Sequence, residues 1–228
     1  MSLTLYQHPL ASFCHKVVMA LTERGTPIAT VTVDLADAGS SATLRAAWPV
    51  GKIPVLHDAA ADRWIPETTI IIDYVEQHYP SATPMLPQDP AAQLQARLWD
   101  RFFDLYISQP MQKIVIDRIR PPGATDPHGV AEARATLDTA YGMIDALPGP
   151  WATGTALTLA DCAAAPALFY AAIIHPFRPD QHSLAAYHER LVTRPSYAAC
   201  IAEARPWFPM FPYAEAIPPR FLADTTGI

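Results

Sequence analysis

The residues best able to do chemistry fall in two short stretches. In "LYQHPLASFCHKVVMAL" (residues 5–21) an apolar alternation turns into a helical pattern, with Ser12 and Cys14 at the junction. A hydroxyl at a helix start accepts from backbone amides through its oxygen and keeps a hydrogen to direct at an anion. Ser12 is therefore read as cap and hydrogen-bond donor at once, and Cys14, two residues further in, as a small packed residue. In the second stretch Glu67 and Thr68 follow Pro66 at the start of a helical pattern, where an acidic residue, a hydroxyl and unpaired amides favour each other and can hold a charged ligand.

Other chemistries find little support. The eight histidines form no metal signature, with no HExxH and no ligand spacing among His175, His182 and His188, so no metal is expected. His8 and His15 flank the loop before Ser12 and are placed to line it. Three cysteines at wide spacing suggest neither a disulfide framework nor a zinc knuckle, and reduced thiols imply a cytoplasmic location. With 16 basic and 22 acidic residues the net charge is −6, which argues against nucleic acid or an anionic membrane as main partner. No run of about 18 apolar residues is present to span a bilayer.

The elements that must position these residues follow from periodicity. Leu3 and Leu5 alternate as in a strand, Val17, Val18 and Leu21 share a helical face, and "ATVTV" (29–33) is a second strand. After a helical connection, "PVLH" (54–57) and "DRWI" (62–65) form a hairpin, and residues 66–80 a helix. Four prolines between Pro80 and Pro90 mark a linker, beyond which strand signals stop. Leu94, Leu98, Phe102 and Leu105 recur at helical spacing until Pro110, which is expected to kink or restart the helix. In "LTLAD" (157–161) Thr158 and Asp161 form a capping box. The proline- and aromatic-rich tail from Arg205 is expected to lie extended over the helices.

This plan resembles the cytosolic glutathione transferase family, and three motifs sharpen the resemblance. "GKIPVL" (51–56) looks like the family's Gly-Lys-Val-Pro segment, "PETTIIIDYV" (66–75) like its acidic-serine pair, and "LTLADCAAAP" (157–166) like the capped, buried helix of its second domain. The resemblance implies a thioredoxin-like α/β N-terminal domain (1–80), a linker (81–90) and an all-α C-terminal domain (91–228). It also implies glutathione as co-substrate. A cis bond at Pro54 would present the backbone of Ile53 to the cysteinyl part, and Glu67 and Thr68 would receive the γ-glutamyl end. Lys52, with Arg45 as a weaker candidate, would take the glycine carboxylate. Phe102, Tyr106 and Leu10 would wall an apolar pocket for a small hydrophobic electrophile, roofed by Trp207 and Phe208.

The group that activates the thiol is where this chain departs from the family. Set on the helix, the family's serine position falls on Ala11; counted from the strand, Ser12 falls where cysteine-type members carry their cysteine. Ser12 is favoured as donor with backbone amides sharing the work, and Tyr6 is read as core. A free thiol has a pKa of about 8.5, and a charge-assisted hydrogen bond of about 1.5 to 3 kcal/mol lowers it by one to two units. The expectation is a homodimeric transferase that conjugates or reduces an electrophile. The alternative is a non-catalytic member, like relatives that bind RNA polymerase or carry apolar ligands.

Overall fold

A computed structural model describes residues 2–34 and 37–223. Strand β1 (Leu3–Gln7) lies second in a four-stranded sheet of order β2-β1-β3-β4. It pairs in parallel with β2 (Ala29–Thr32) and antiparallel with β3 (Val55–Asp58), which forms a hairpin with β4 (Arg63–Pro66). A parallel neighbour demands a crossover, which α1 (Ser12–Glu23) supplies. Val17 and Leu21 of α1, with Ile71 and Val75 of α3 (Thr68–His78), cover Leu3, Leu5, Leu56 and Ile65 on one sheet face. The other face carries Val33 and Val55 under Leu44 of α2 (Ala38–Ala47). Tyr6 packs there, its ring 5.0 Å from Trp64, so its phenol belongs to this core.

From Pro90 onward the described elements are helical: α4 (Pro90–Phe102), α5 (Gln109–Arg118), α6 (Pro127–Asp145), α7 (Leu159–Ile174), α8 (His182–Val192) and α9 (Pro195–Ala204). Helix α7 is the axis, buried along nearly its whole length. Its start is tied by Asp161, which accepts from the amides of Thr158 (2.8 Å) and Ala152 (2.9 Å) and from the Tyr187 hydroxyl (2.7 Å).

Pro110 stands in the first turn of α5, so a new helix starts there as expected. It is joined to α4 by a π-helical turn (Phe103–Ser108), in which the Gln109 amide donates to the Asp104 carbonyl, five residues back. The widened turn accommodates the amide that Pro110 lacks. Two other expectations about this half are corrected. The tail is not extended. It folds into 3-10 turns (Arg205–Met210, Ala214–Ala216, Pro219–Phe221), whose φ values proline readily adopts, and it buries Phe208, Phe211, Ile217 and Phe221. Leu94 and Leu98 face outward, because α4 turns Ala96 and Phe102 into the core.

The sheet unit and the helices are joined by a buried charge cluster. Lys16 of α1 is 1% exposed, and its Nζ lies 2.9 Å from Asp104 Oδ2 and 2.6 Å from Asp100 Oδ1, the latter an ion pair without hydrogen-bond alignment. Thr69 of α3 accepts from Lys16 at 3.1 Å and donates to Asp100 Oδ2 at 2.7 Å. Burial raises the Asp104 pKa, with the Lys16 ammonium opposing the rise. At the far end of α1, Glu23 is gripped by both arms of Arg194, each at 2.6 Å.

Removing one member of a buried pair leaves an uncompensated charge. Lys16→Met is therefore expected to lower unfolding free energy by about 3 to 5 kcal/mol in urea titrations at neutral pH. A carboxyl whose folded pKa is raised is penalised more as pH climbs through its unfolded value, so the loss should be smaller at pH 5 than at pH 7.

Candidate active site

Two cavities share Ile53 in their linings. The larger, about 400 Å³, lies between the sheet unit and the helices. The sheet side contributes Phe13, Trp48, Lys52, Ile53, Pro54, Glu67 and Thr68, and the helical side Arg101, Asp104, Gln109 and Gln112. The structure thus gathers Lys52, Ile53, Pro54, Glu67 and Thr68 at one place, though Lys52 and Thr68 lie on different segments.

Each wall has a local cause. The Ile53-Pro54 peptide is cis, immediately before β3. Glu67 sits at φ 69°, ψ 120°, a conformation that costs a non-glycine residue on the order of 1–3 kcal/mol and that clusters at functional sites. It turns the chain from β4 into α3, and the first backbone bond of that helix runs from the Ile71 amide to the Glu67 carbonyl (2.8 Å). The amides of Thr68, Thr69 and Ile70 are left without a backbone acceptor, as the first turn of a helix requires. On the helical wall, the π turn stacks Gln109 over Asp104 and so keeps both on the cavity face. These residues were invisible to periodicity analysis, which assumes a regular 3.6-residue turn.

The side chains of Lys52, Glu67, Thr68, Gln109 and Gln112 make no hydrogen bond or ion pair with other described residues, whereas Arg101 pairs with Asp104 at 3.3 Å. A site offering two cations, two carboxylates, two amides and a helix N-terminus suits a flexible ligand that carries both carboxylates and an ammonium. Arg45 lies outside this lining. It packs over Gly51, where an added Cβ would come within 2.6 Å of Nη1 and where φ of +68° favours glycine.

The smaller cavity, about 250 Å³, is lined by His8, Leu10, Ala11, Val33 and Ile53. Its floor is the β1–α1 loop, pinned from several sides. The Tyr170 hydroxyl donates to the Leu10 carbonyl (2.9 Å), His15 Nε2 to the Pro9 carbonyl (2.5 Å), and the Ala11 amide to the His8 carbonyl (2.9 Å). His15 is thus a buried strut rather than part of the lining, and burial lowers its pKa to about 4. Trp207 meets the His8 ring edge-on at 4.6 Å, while Phe208 is buried in the core.

Ser12 does not cap the helix. Ala11 holds that position with no side-chain bond, and Ser12 is the first helical residue, 8% exposed, in the lining of neither cavity. The first bonds back to Ala11 come from the Cys14 and His15 amides, which leaves the amides of Ser12 and Phe13 free. Phe102 and Tyr106 also line neither cavity: Phe102 points into the core and Tyr106 into solvent, since Arg101 and Asp104 occupy the inward face. Cys14 is fully buried, and desolvation raises its pKa to about 12 despite a bond to the His8 backbone. Among the described residues no cluster of His, Cys, Asp or Glu could hold a metal, and no helix is long and apolar enough to cross a membrane.

Comparison with known proteins decides the family. Residues 5–84 match the family model described as glutathione S-transferase, N-terminal domain, and residues 127–190 the corresponding C-terminal domain. A glutathione S-transferase-like protein LUC7 from Fusarium sp is 30% identical over 159 residues, 68% of this chain and 71% of that protein. The chain belongs to the glutathione S-transferase family. A glutathione S-transferase from Methylobacterium radiotolerans, solved in complex with glutathione sulfonate, is 28% identical with a TM-score of 0.75, covering 87% of this chain and 93% of that one. A stringent starvation protein A homolog from Coxiella burnetii is 26% identical over 207 residues, 89% of this chain and 92% of that protein.

All three cysteines of the chain are buried, with the pKa values of Cys14 and Cys200 raised to about 12 and that of Cys162 also raised by desolvation. Native protein is accordingly expected to resist an aromatic disulfide reagent at pH 8, and all three thiols to react once it is unfolded. Fast labelling of the native protein at Cys14, located by peptide mapping, would return that residue to the list of participants.

Proposed function

We propose that this chain is a catalytically active transferase that binds glutathione in the larger cavity and delivers its thiolate to an apolar electrophile in the smaller one. The α3 amides and the Thr68 hydroxyl take the γ-glutamyl carboxylate, Glu67 the ammonium and Lys52 the glycine carboxylate. The backbone of Ile53 faces the cysteinyl part. The observation that carries this reading is that Ile53 lines both cavities. A thiol held at Ile53 lies where the charged cavity meets an apolar one with Ala11, the residue before the free amides, in its lining.

Those amides are the thiolate donors in this reading. Helix N-termini lower thiol pKa values into the range of about 3.5 to 7.5 in favourable cases, and two unpaired N–H groups need no hydroxyl to act. Ser12 is a helical residue without that task, and Ala11 occupies the position from which a hydroxyl would reach the cavity.

Titration of thiolate absorbance in the glutathione complex tests this directly. A pKa lowered by about one unit or more from the free thiol is expected. Ser12→Ala should leave both that pKa and turnover of an activated aryl halide essentially unchanged. Ala11→Ser should lower the pKa by about a further unit and add up to about 1 kcal/mol of stability through a new cap. An unshifted thiol in the wild type would sink the transferase reading in favour of a non-catalytic member, the reading that likeness to the Coxiella protein supports.

A two-fold homodimer belongs to the same proposal. Ile70 of α3 and Leu94 and Leu98 of α4 are each more than half exposed, and the Arg97–Asp73 ion pair (2.7 Å) bridges the two helices beside them. Large apolar side chains clustered on one face suit an isologous contact. Leu98→Arg is expected to shift the sedimentation coefficient from dimer to monomer; a wild type that sediments as a monomer would refute the dimer.

A further inference from the structure

His15 has one ring nitrogen that is committed and one that is not. Its Nε2 lies 2.5 Å from the Pro9 carbonyl, which can only accept, so Nε2 carries the hydrogen. Burial lowers the pKa to about 4, against the Pro9 bond that opposes the shift, and the ring is neutral at neutral pH. A neutral ring protonated on Nε2 has a bare acceptor at Nδ1. That nitrogen is shut off from solvent and has no hydrogen-bond partner among the described residues. Two tyrosine rings adjoin His15: Tyr170 at 6.0 Å and Tyr197, edge-on, at 5.9 Å. The Tyr170 hydroxyl is committed to the Leu10 carbonyl. The Tyr197 hydroxyl, on α9, is likewise sealed from solvent and unpartnered among the described residues.

Packing alone asks for no hydroxyl at this place. The Tyr197 ring already fills its site against His15 and Phe169, and phenylalanine would do the same. A buried hydroxyl or imidazole nitrogen left alone carries its whole desolvation cost. Here one orphan is an acceptor, and the other is a donor at neutral pH, because burial holds the phenol pKa well above its ordinary value. We propose that one buried water joins the Tyr197 hydroxyl to His15 Nδ1, and that Tyr197 is thereby the positioning residue that fixes the His15 tautomer. The two atoms stand beyond direct hydrogen-bond reach, so the water accepts from the hydroxyl and donates to Nδ1.

The consequence for catalysis rests on the glutathione reading above. With Nδ1 occupied, the ring keeps its hydrogen on Nε2 and holds the Pro9 carbonyl. Pro9 lies in the turn closed by the Ala11 amide and the His8 carbonyl (2.9 Å), and the free amides of Ser12 and Phe13 follow directly. Without the donor, the proton can pass to Nδ1. Nε2 then presents a lone pair to the Pro9 carbonyl, which repels it and loosens the turn.

Tyr197→Phe removes one oxygen and keeps the ring. Loss of a truly unpaired buried hydroxyl raises Tm, whereas loss of one that serves His15 lowers it, and a lowered Tm is expected. Nitrogen-15 spectra of histidine-labelled protein without ligand, with His15 assigned through its proton contacts to Tyr170 and Tyr197, read the tautomer. In the wild type His15 Nδ1 is expected upfield of a bare imidazole nitrogen, as an acceptor is, and in Tyr197→Phe it should move to the bare position or gain the proton. With glutathione and an activated aryl halide, Tyr197→Phe should lower kcat about 3- to 10-fold, the range of one neutral hydrogen bond, and leave KM for glutathione within about 2-fold. In a His15→Leu background the same substitution should change kcat by less than about 2-fold. A raised Tm, an unmoved His15 signal or an undiminished effect in that background overturns the inference. A wild type that leaves bound glutathione as the thiol brings down the glutathione reading instead, and the spectra and melting of the free protein still decide the tyrosine link.

Discussion

A lysine with almost no access to water holds the two walls of the larger cavity in register. Lys16 projects from α1 to meet Asp100 and Asp104 on the helical side and Thr69 on α3. The sequence neighbours of its partners line the cavity: Thr68 precedes Thr69, and Arg101 lies between the two aspartates. Two carboxylates four apart on one helix repel unless a cation faces them. Burial makes that pairing obligatory, so the spacing between Glu67 and Thr68 on one wall and Arg101 and Asp104 on the other is set by a contact that cannot be loosened cheaply.

The second constraint is the fixing of the β1–α1 loop against α7. Tyr170 and His15 hold the carbonyls of Leu10 and Pro9, and both rings are buried, His15 lying 6.0 Å from Tyr170 and 5.9 Å from Tyr197. The loop can therefore present free amides to a ligand without a capping side chain. In the proposed reading the helix terminus takes the place of a side-chain donor, and the small Ala11 stands beside it in the cavity lining. The same loop orients His8, whose Nδ1 accepts from the Leu10 amide at the edge of the smaller cavity.

Much of the fold was legible before any coordinates. Strand alternation, the hairpin, the Thr158–Asp161 start of α7 and the switch from mixed to helical structure all rest on local periodicity and capping. The grouping of Lys52, Ile53, Pro54, Glu67 and Thr68 was legible as well, but through resemblance rather than spacing. The helical wall was not. Phe102 and Tyr106 look like a ligand-facing stripe on a regular helix, whereas the π turn rotates Gln109 and Gln112 into that place. The like-charged pair Asp100 and Asp104 was the sequence's only hint that a buried cation had to oppose it.

By itself the sequence determined the element order, because hydrophobic period and turn chemistry act over a few residues, and its resemblance to a known family pointed to the residue types available for glutathione. It also determined that Ala11 stands where a hydroxyl is usual. Only the tertiary structure decided that Ser12 turns away from the cavities, that Lys16 is fully buried, and that Ile53 joins a charged cavity to an apolar one. Those facts depend on how α1 sits against α3, α4 and α7. Such contacts lie many tens of residues apart in the chain, and the rotation of a helix about its own axis, which decides what a side chain faces, is settled by packing rather than by local preference.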